Sequence, residues 1–127
     1  MSTPRTLHLL DSIARITPEM ADGVVVTGSH GGTSAAGFVL ALGHKPYAVF
    51  FNDAGIGKDD AGIAALALMQ EVGVIAAVYA HTSARIGDAN DGWRNGTITR
   101  CNVLAQQAGI ASNQTVHQVV NHMVVEG

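Results

Sequence analysis

Three times along the chain, a run of apolar and largely β-branched residues gives way to a glycine-rich polar segment and then to an apolar stretch. Val24-Val25-Val26-Thr27 leads into Gly28-Ser29-His30-Gly31-Gly32 and the stretch from Ala35 to Leu42. Tyr47 to Phe51 leads into Asn52 to Lys58, then a helix opening at Asp59 or Asp60 and running to about Val72. Val74 to Ala80 leads into a long loop from His81 to Asn95 and a helix from Thr99 to Ala108. A strand that is apolar at every position has to hide both faces, which a parallel sheet between two helical layers achieves. The repeated order therefore predicts parallel neighbouring strands at 24–28, 47–52 and 74–80, joined by right-handed crossovers. The expected fold is a single three-layer α/β domain over 1–127, Rossmann-like, with a small parallel sheet of three or four strands and helices on both faces. Helix limits follow from local chemistry: Thr33 or Ser34 suits an N-cap, and Gly43, Gly73 and Gly109 suit helix ends. At the N-terminus, Leu9, Ile13, Ile16 and Met20 recur at helical spacing and predict an amphipathic helix interrupted near Thr17-Pro18. At the C-terminus, Val116, Val119, Val120, Met123 and Val124 also follow helical spacing, although valines suit a strand as well.

Composition narrows the function classes. The chain has 127 residues, enough for one core. Apolar residues make up 47% and charged residues 13%, which excludes a disordered chain. No apolar stretch is long enough to span a bilayer, and Met1 to Arg5 leads into no signal-like block, so no membrane role is expected. The net charge is −3 and the basic residues are scattered, leaving no electrostatic footprint for nucleic acid. The lone Cys101 precludes an internal disulfide and fits a reducing compartment, so a cytoplasmic protein is expected. The apolar mass is mostly Ala and Val, which remove little surface from water per position. A thin core and a valine-rich C-terminal stripe together predict a homo-oligomer.

In an open parallel sheet, ligands bind along the edge formed by the carboxyl ends of the strands. The chain's polar residues fall there. The first strand delivers Ser29 and His30, the second Asn52, Asp53 and Lys58, and the third His81, Thr82, Ser83, Arg85, Asp88 and Asp91. Loop 28–32 leads into a helix N-terminus, whose free N–H groups favour a phosphate or carboxylate. Gly28, Ser29, Gly31 and Gly32 are thus candidate anion-binding residues, the alternative being a tight turn that needs glycine. From Val24 to Leu42 this segment resembles the phosphate loop of universal stress proteins, which place Gly-Ser and often His-Gly between a hydrophobic strand and a helix. Leu42-Gly43-His44 stands where that family has a second Gly-Ser pair, and ATP binding is not assigned. Neither a complete Walker loop nor a dinucleotide fingerprint is present, so no cofactor is expected.

His30 and His81 can exchange protons near neutral pH, or else hold their loops by backbone hydrogen bonds. Asp53 can act as base or orient a histidine, or form an Asx turn. Lys58, Arg85, Asn52, Ser83 and Asp88 are further contacts for an anion, with an Arg85 to Asp88 loop pair as the alternative for those two. Asp59 and Asp60 read as helix caps, and Trp93 as a ligand cover or subunit contact. His8, His44, His117 and His122 read as surface or interface residues and Cys101 as packing. His30, Asp53, His81, Asp88 and Asp91 could ligate a metal but lack ligand spacing, and none is assigned. The expected function is an enzyme acting on a small anionic molecule, a hydrolase or another acid/base catalyst, with catalytic His30, Asp53 and His81. In the favoured version His30 and Asp53 act together, with His81 as the competing base. The alternatives are a non-catalytic nucleotide- or metabolite-binding module and a structural subunit of a larger assembly.

Overall fold

The computed structural model describes residues 5–55 and 63–126. Five strands form one sheet whose spatial order is the chain order: β1 (Leu7–Leu10), β2 (Val24–His30), β3 (Ala48–Asn52), β4 (Ile75–Tyr79) and β5 (Ile98–Cys101). β1 through β4 are parallel, and β5 pairs antiparallel with β4. The three expected strands are β2, β3 and β4, which lie side by side. The sheet has five strands rather than three or four because one more pairs at each edge.

Helices α1 (Thr33–Leu40), α2 (Ala65–Glu71), α3 (Ala89–Asn95), α4 (Val103–Gln107) and α5 (Val116–Glu126) complete the layers. Alternation along the strands divides the core in two. Val25, Val49, Phe51, Ala76 and Val78 pack against Ile13, α1 and α2. Val24, Val26, Phe50, Ala77 and Tyr79 pack beneath Ile98, Ala105, Val116 and Val120 on the other side. Phe50 and Phe51 are both fully buried, one in each layer, and each contributes about 1.5–3 kcal/mol by leaving water. Val24–Val26, Ala48–Phe51 and Ile75–Tyr79 are apolar and buried because both faces of the sheet are covered there, and the result is a three-layer α/β fold.

Two segments differ from expectation. Leu7–Leu10 is strand β1, in register Leu7 with Val24, and not the start of a helix. Two 3-10 turns follow, Ile13–Arg15 capped by the Ser12 side chain and Pro18–Met20 with proline at its first position. A 3-10 turn stacks i and i+3, so the spacing of Ile13 and Ile16 imitates a longer helix. The segment expected to be a helix from Thr99 is β5 followed by the short α4, and the expected loop 81–95 contains α3. Asn102 ends β5 and caps α4, its side chain accepting from the Ala105 N–H. At α1 the N-cap is Gly32, just before the expected Thr33, and no side chain caps it.

The C-terminal segment is helical as expected, and Val116, Val120 and Met123 are buried in the second core layer. Val119 and Val124, the rest of the stripe that suggested a subunit partner, are partly buried against the same layer. Among the described residues, no helix is long and apolar enough to cross a membrane.

Candidate functional site

β3 ends at Asn52, and the next residue extends the ladder, with the Asp53 N–H donating to the Tyr79 carbonyl at 2.8 Å. The backbone then turns through two left-handed residues, Ala54 at φ 50° and Gly55 at φ 76°. Such a φ costs a residue with a Cβ about 1–2 kcal/mol, so Ala54 is held there by its surroundings. The turn brings the Gly55 N–H to Asp53 Oδ1 at 2.8 Å, an Asx turn. A Cβ on Gly55 would stand 3.4 Å from Cε1 of His81, in ordinary contact with the imidazole.

That imidazole belongs to His81, the second residue beyond the Tyr79 end of β4. Asp53 Oδ1 accepts from the His81 backbone N–H at 3.0 Å and lies 3.2 Å from His81 Nδ1. Thr99 Oγ1, on β5, donates to Asp53 Oδ2 at 3.2 Å. Burial opposes ionisation of this carboxyl, but the N–H groups of Gly55 and His81, with the His81 and Thr99 side chains, outweigh it. They hold the Asp53 carboxyl below its ordinary range. An ionised carboxylate only accepts, so His81 donates through Nδ1 and keeps the lone pair on Nε2. The Asp53 side chain is 7% exposed and that of His81 52%, which puts a fixed charge behind an accessible imidazole.

His81 opens onto a shallow cleft of about 560 Å³, lined also by Thr82, Ser83, Arg85, Ile86 and Asp91. No ion pair binds the Arg85 guanidinium among the described residues. The Asp91 carboxylate instead accepts the Arg85 backbone N–H and the Asn95 amide, which, with Arg85 nearby, hold its pKa down. Ser83 is committed to structure: its hydroxyl donates to the Ala80 carbonyl at 2.7 Å and accepts from the Thr97 N–H at 2.9 Å. Asn52 is also committed, donating to the Ala84 carbonyl and accepting from the Ala54 N–H. Asp88 caps α3 by accepting from the Asp91 N–H.

The glycine loop stands apart from this cleft. Gly28, Ser29 and His30 line a separate cavity of about 310 Å³ on the other side of Ile86, with Asp11, Ser34 and Phe38. The residues expected at one crevice thus line two cavities that share Ile86. His30 has no side-chain hydrogen bond to Asp53 among the described residues, and the carboxylate is taken by His81. Gly28 meets the Gly87–Asp88 backbone, the Gly31 N–H donates to the Asn52 carbonyl at 2.9 Å, and Ser29 Oγ accepts from the Ile13 N–H. Of the expected anion cradle, these groups serve the fold. Lys58, Asp59 and Asp60 lie outside the described residues. Trp93 packs into the second core layer, 4.9 Å from the His117 ring, with Nε1 unpartnered among the described residues. No group of three His, Cys, Asp or Glu side chains suited to a metal occurs among the described residues.

Thr99 went unnoticed because β5 did. Its signals were Thr97-Ile98-Thr99, β-branched after Gly96, and Asn102 placed to cap a helix beginning one residue later. The chain matches no family model, and no curated protein or solved structure is detectably similar to it.

Proposed function

We propose that the chain is an enzyme acting on a small anionic molecule, with His81 as the proton-transferring group. The observation that carries this reading is the pairing itself: a buried carboxylate with four donors sets Nδ1 of a half-exposed imidazole in an open cleft. Asp53 selects the tautomer whose Nε2 can take a proton, and its negative charge stabilises the imidazolium that forms. Arg85, at the same cleft, offers a planar fork to a carboxylate or phosphate. Ser83 gives its one proton to a backbone carbonyl, which favours proton transfer to and from water or substrate over attack by that hydroxyl. The reading is therefore a hydrolase or another acid/base catalyst working without a Ser83 adduct, with Asp53 serving His81 instead of His30.

A panel of carboxylate and phosphate esters, assayed with purified protein, tests this. His81→Ala is expected to lower kcat by about 10²–10⁴-fold and Asp53→Asn to lower it as well, while Arg85→Ala raises KM. Full turnover by His81→Ala on any substrate that the wild type converts defeats the assignment. Saturable binding without turnover across the panel favours the metabolite-binding module.

A further inference from the structure

We infer that Thr99 is a positioning residue for the Asp53 and His81 pair, holding the carboxylate so that Oδ1 faces the imidazole and His81 carries its proton on Nδ1. This rests on the reading of His81 as the proton-transferring group for its relevance to catalysis, but the geometry stands without it.

Asp53 Oδ1 serves three donors: Gly55 N at 2.8 Å, His81 N at 3.0 Å and His81 Nδ1 at 3.2 Å. Oδ2 has one donor among the described residues, the Thr99 hydroxyl at 3.2 Å. A carboxylate rotates about Cβ–Cγ over a broad well, so its torsion is set by hydrogen bonds at both oxygens. With Oδ2 released, Oδ1 can turn away from the weakest of its three partners, which by distance is Nδ1. The two backbone donors, Gly55 N and His81 N, belong to the main chain of the turns after β3 and β4 and are the closer pair, so they keep their hold. The imidazole is the partner free to let go.

Placement supports the same role. β3 supplies Asp53, the end of β4 supplies His81, and Thr99 comes from the antiparallel edge strand, so a third element closes the site. The Thr99 hydroxyl spends its proton on Asp53 and reaches the reacting face only through that carboxylate. β5 is anchored beside it, with the Ala80 N–H donating to the Thr97 carbonyl and the Thr97 N–H to Ser83 Oγ. The charged groups that share the His81 cleft are Arg85 and Asp91, and neither hydrogen-bonds to Thr99.

The test is ¹⁵N NMR of the imidazole in the full chain without substrate, under conditions where His81 is neutral. Thr99→Val keeps the shape and β-branching while removing the donor, and Thr99→Ser restores the donor on a smaller side chain. The wild type should show Nδ1–H, Thr99→Val should lose that bias, and Thr99→Ser should regain most of it. In Thr99→Val the Asp53 carboxyl should also titrate at a higher pH, because one of the hydrogen bonds that favour its ionised form is gone. A wild-type tautomer in Thr99→Val, or a Thr99→Ser that behaves like Thr99→Val, overturns the inference. His81→Ala with undiminished turnover would defeat the enzymatic reading and leave this tautomer result unaffected, so the two fail separately.

Discussion

Gly28→Ala places a methyl group where β2 meets the loop that carries Arg85. An ideal Cβ on Gly28 would lie 2.4 Å from Asp88 N, 2.5 Å from the Gly87 carbonyl carbon and 2.7 Å from Gly87 Cα. All three are backbone atoms, so no side-chain rotation relieves the contact, and the loop must retreat by roughly 1 Å to reach ordinary packing distance. Retreat is resisted on three sides. The Gly87 N–H donates to the Gly28 carbonyl at 2.8 Å, Asn52 Nδ2 holds the Ala84 carbonyl, and the Ala89 N–H donates to Asp11 Oδ1 at 2.9 Å. Overpacking of this kind costs about 1–3 kcal/mol, and loss of one backbone hydrogen bond adds about 1 kcal/mol. The expected destabilisation is about 2–4 kcal/mol, which for a domain of this size lowers Tm by roughly 8–16 °C.

Gly37→Ala is the internal control for the same chemical change. Gly37 lies in α1, is exposed, and a Cβ there meets nothing within 4 Å. Replacing glycine by alanine in an open helix position stabilises by about 0.5–1 kcal/mol. Thermal melts followed by circular dichroism, backed by urea titration, would therefore show shifts of opposite sign. Amide resonances of Ala84 to Asp88 should move only in Gly28→Ala. A Gly28→Ala protein melting within about 2 °C of wild type, well under the shift expected for 1 kcal/mol, would refute the close strand-to-loop contact.

Three further outcomes follow from named contacts. Asp53 ionises more readily folded than unfolded, so its stabilising contribution is complete above about pH 4, the ordinary range of an aspartate, and is lost as pH falls from there through the lower folded-state value. The stability gap between wild type and Asp53→Asn, measured by urea unfolding, should accordingly be widest at neutral pH and close on acidification; a constant gap contradicts the hydrogen-bonded carboxylate. Asn102→Ala strips partners from the Ala76 N–H, the Ala105 N–H and the Val74 carbonyl, and should cost about 3 kcal/mol in the same assay, with a loss under 1 kcal/mol counting against the described network. Tyr79→Phe removes the 2.7 Å bond from a fully buried hydroxyl to the Thr27 carbonyl and should destabilise by about 1–2 kcal/mol, whereas equal or greater stability would show that the bond contributes nothing net.

What could be read from residues alone was whatever depends on neighbours in sequence. Unbroken apolar runs at 24–26, 47–51 and 74–80 had to be covered on both faces, and that requirement produced the parallel centre of the sheet and its three layers. The same pattern brought His81 and Asp53 to one edge, as residues that follow adjacent parallel strands. The edges were harder to read, because strands Leu7–Leu10 and Ile98–Cys101 are short and only partly buried, and carry a weak period. Their existence depends on partners, β2 and β4, that local propensity does not represent.

The partnership at the site was decided only by the tertiary structure. His30, at the end of β2, was the favoured partner for Asp53 and His81 the competitor, and the left-handed turn at Ala54 and Gly55 accompanies a carboxylate aimed at His81. The same packing put the Gly87–Asp88 backbone against Gly28 and gave the Gly31 N–H to the Asn52 carbonyl, contacts that the sequence of the loop does not show. The physical reason is range: hydrophobic periodicity is written into a few consecutive residues, whereas a hydrogen bond from residue 99 to residue 53 exists only after the chain has closed around both.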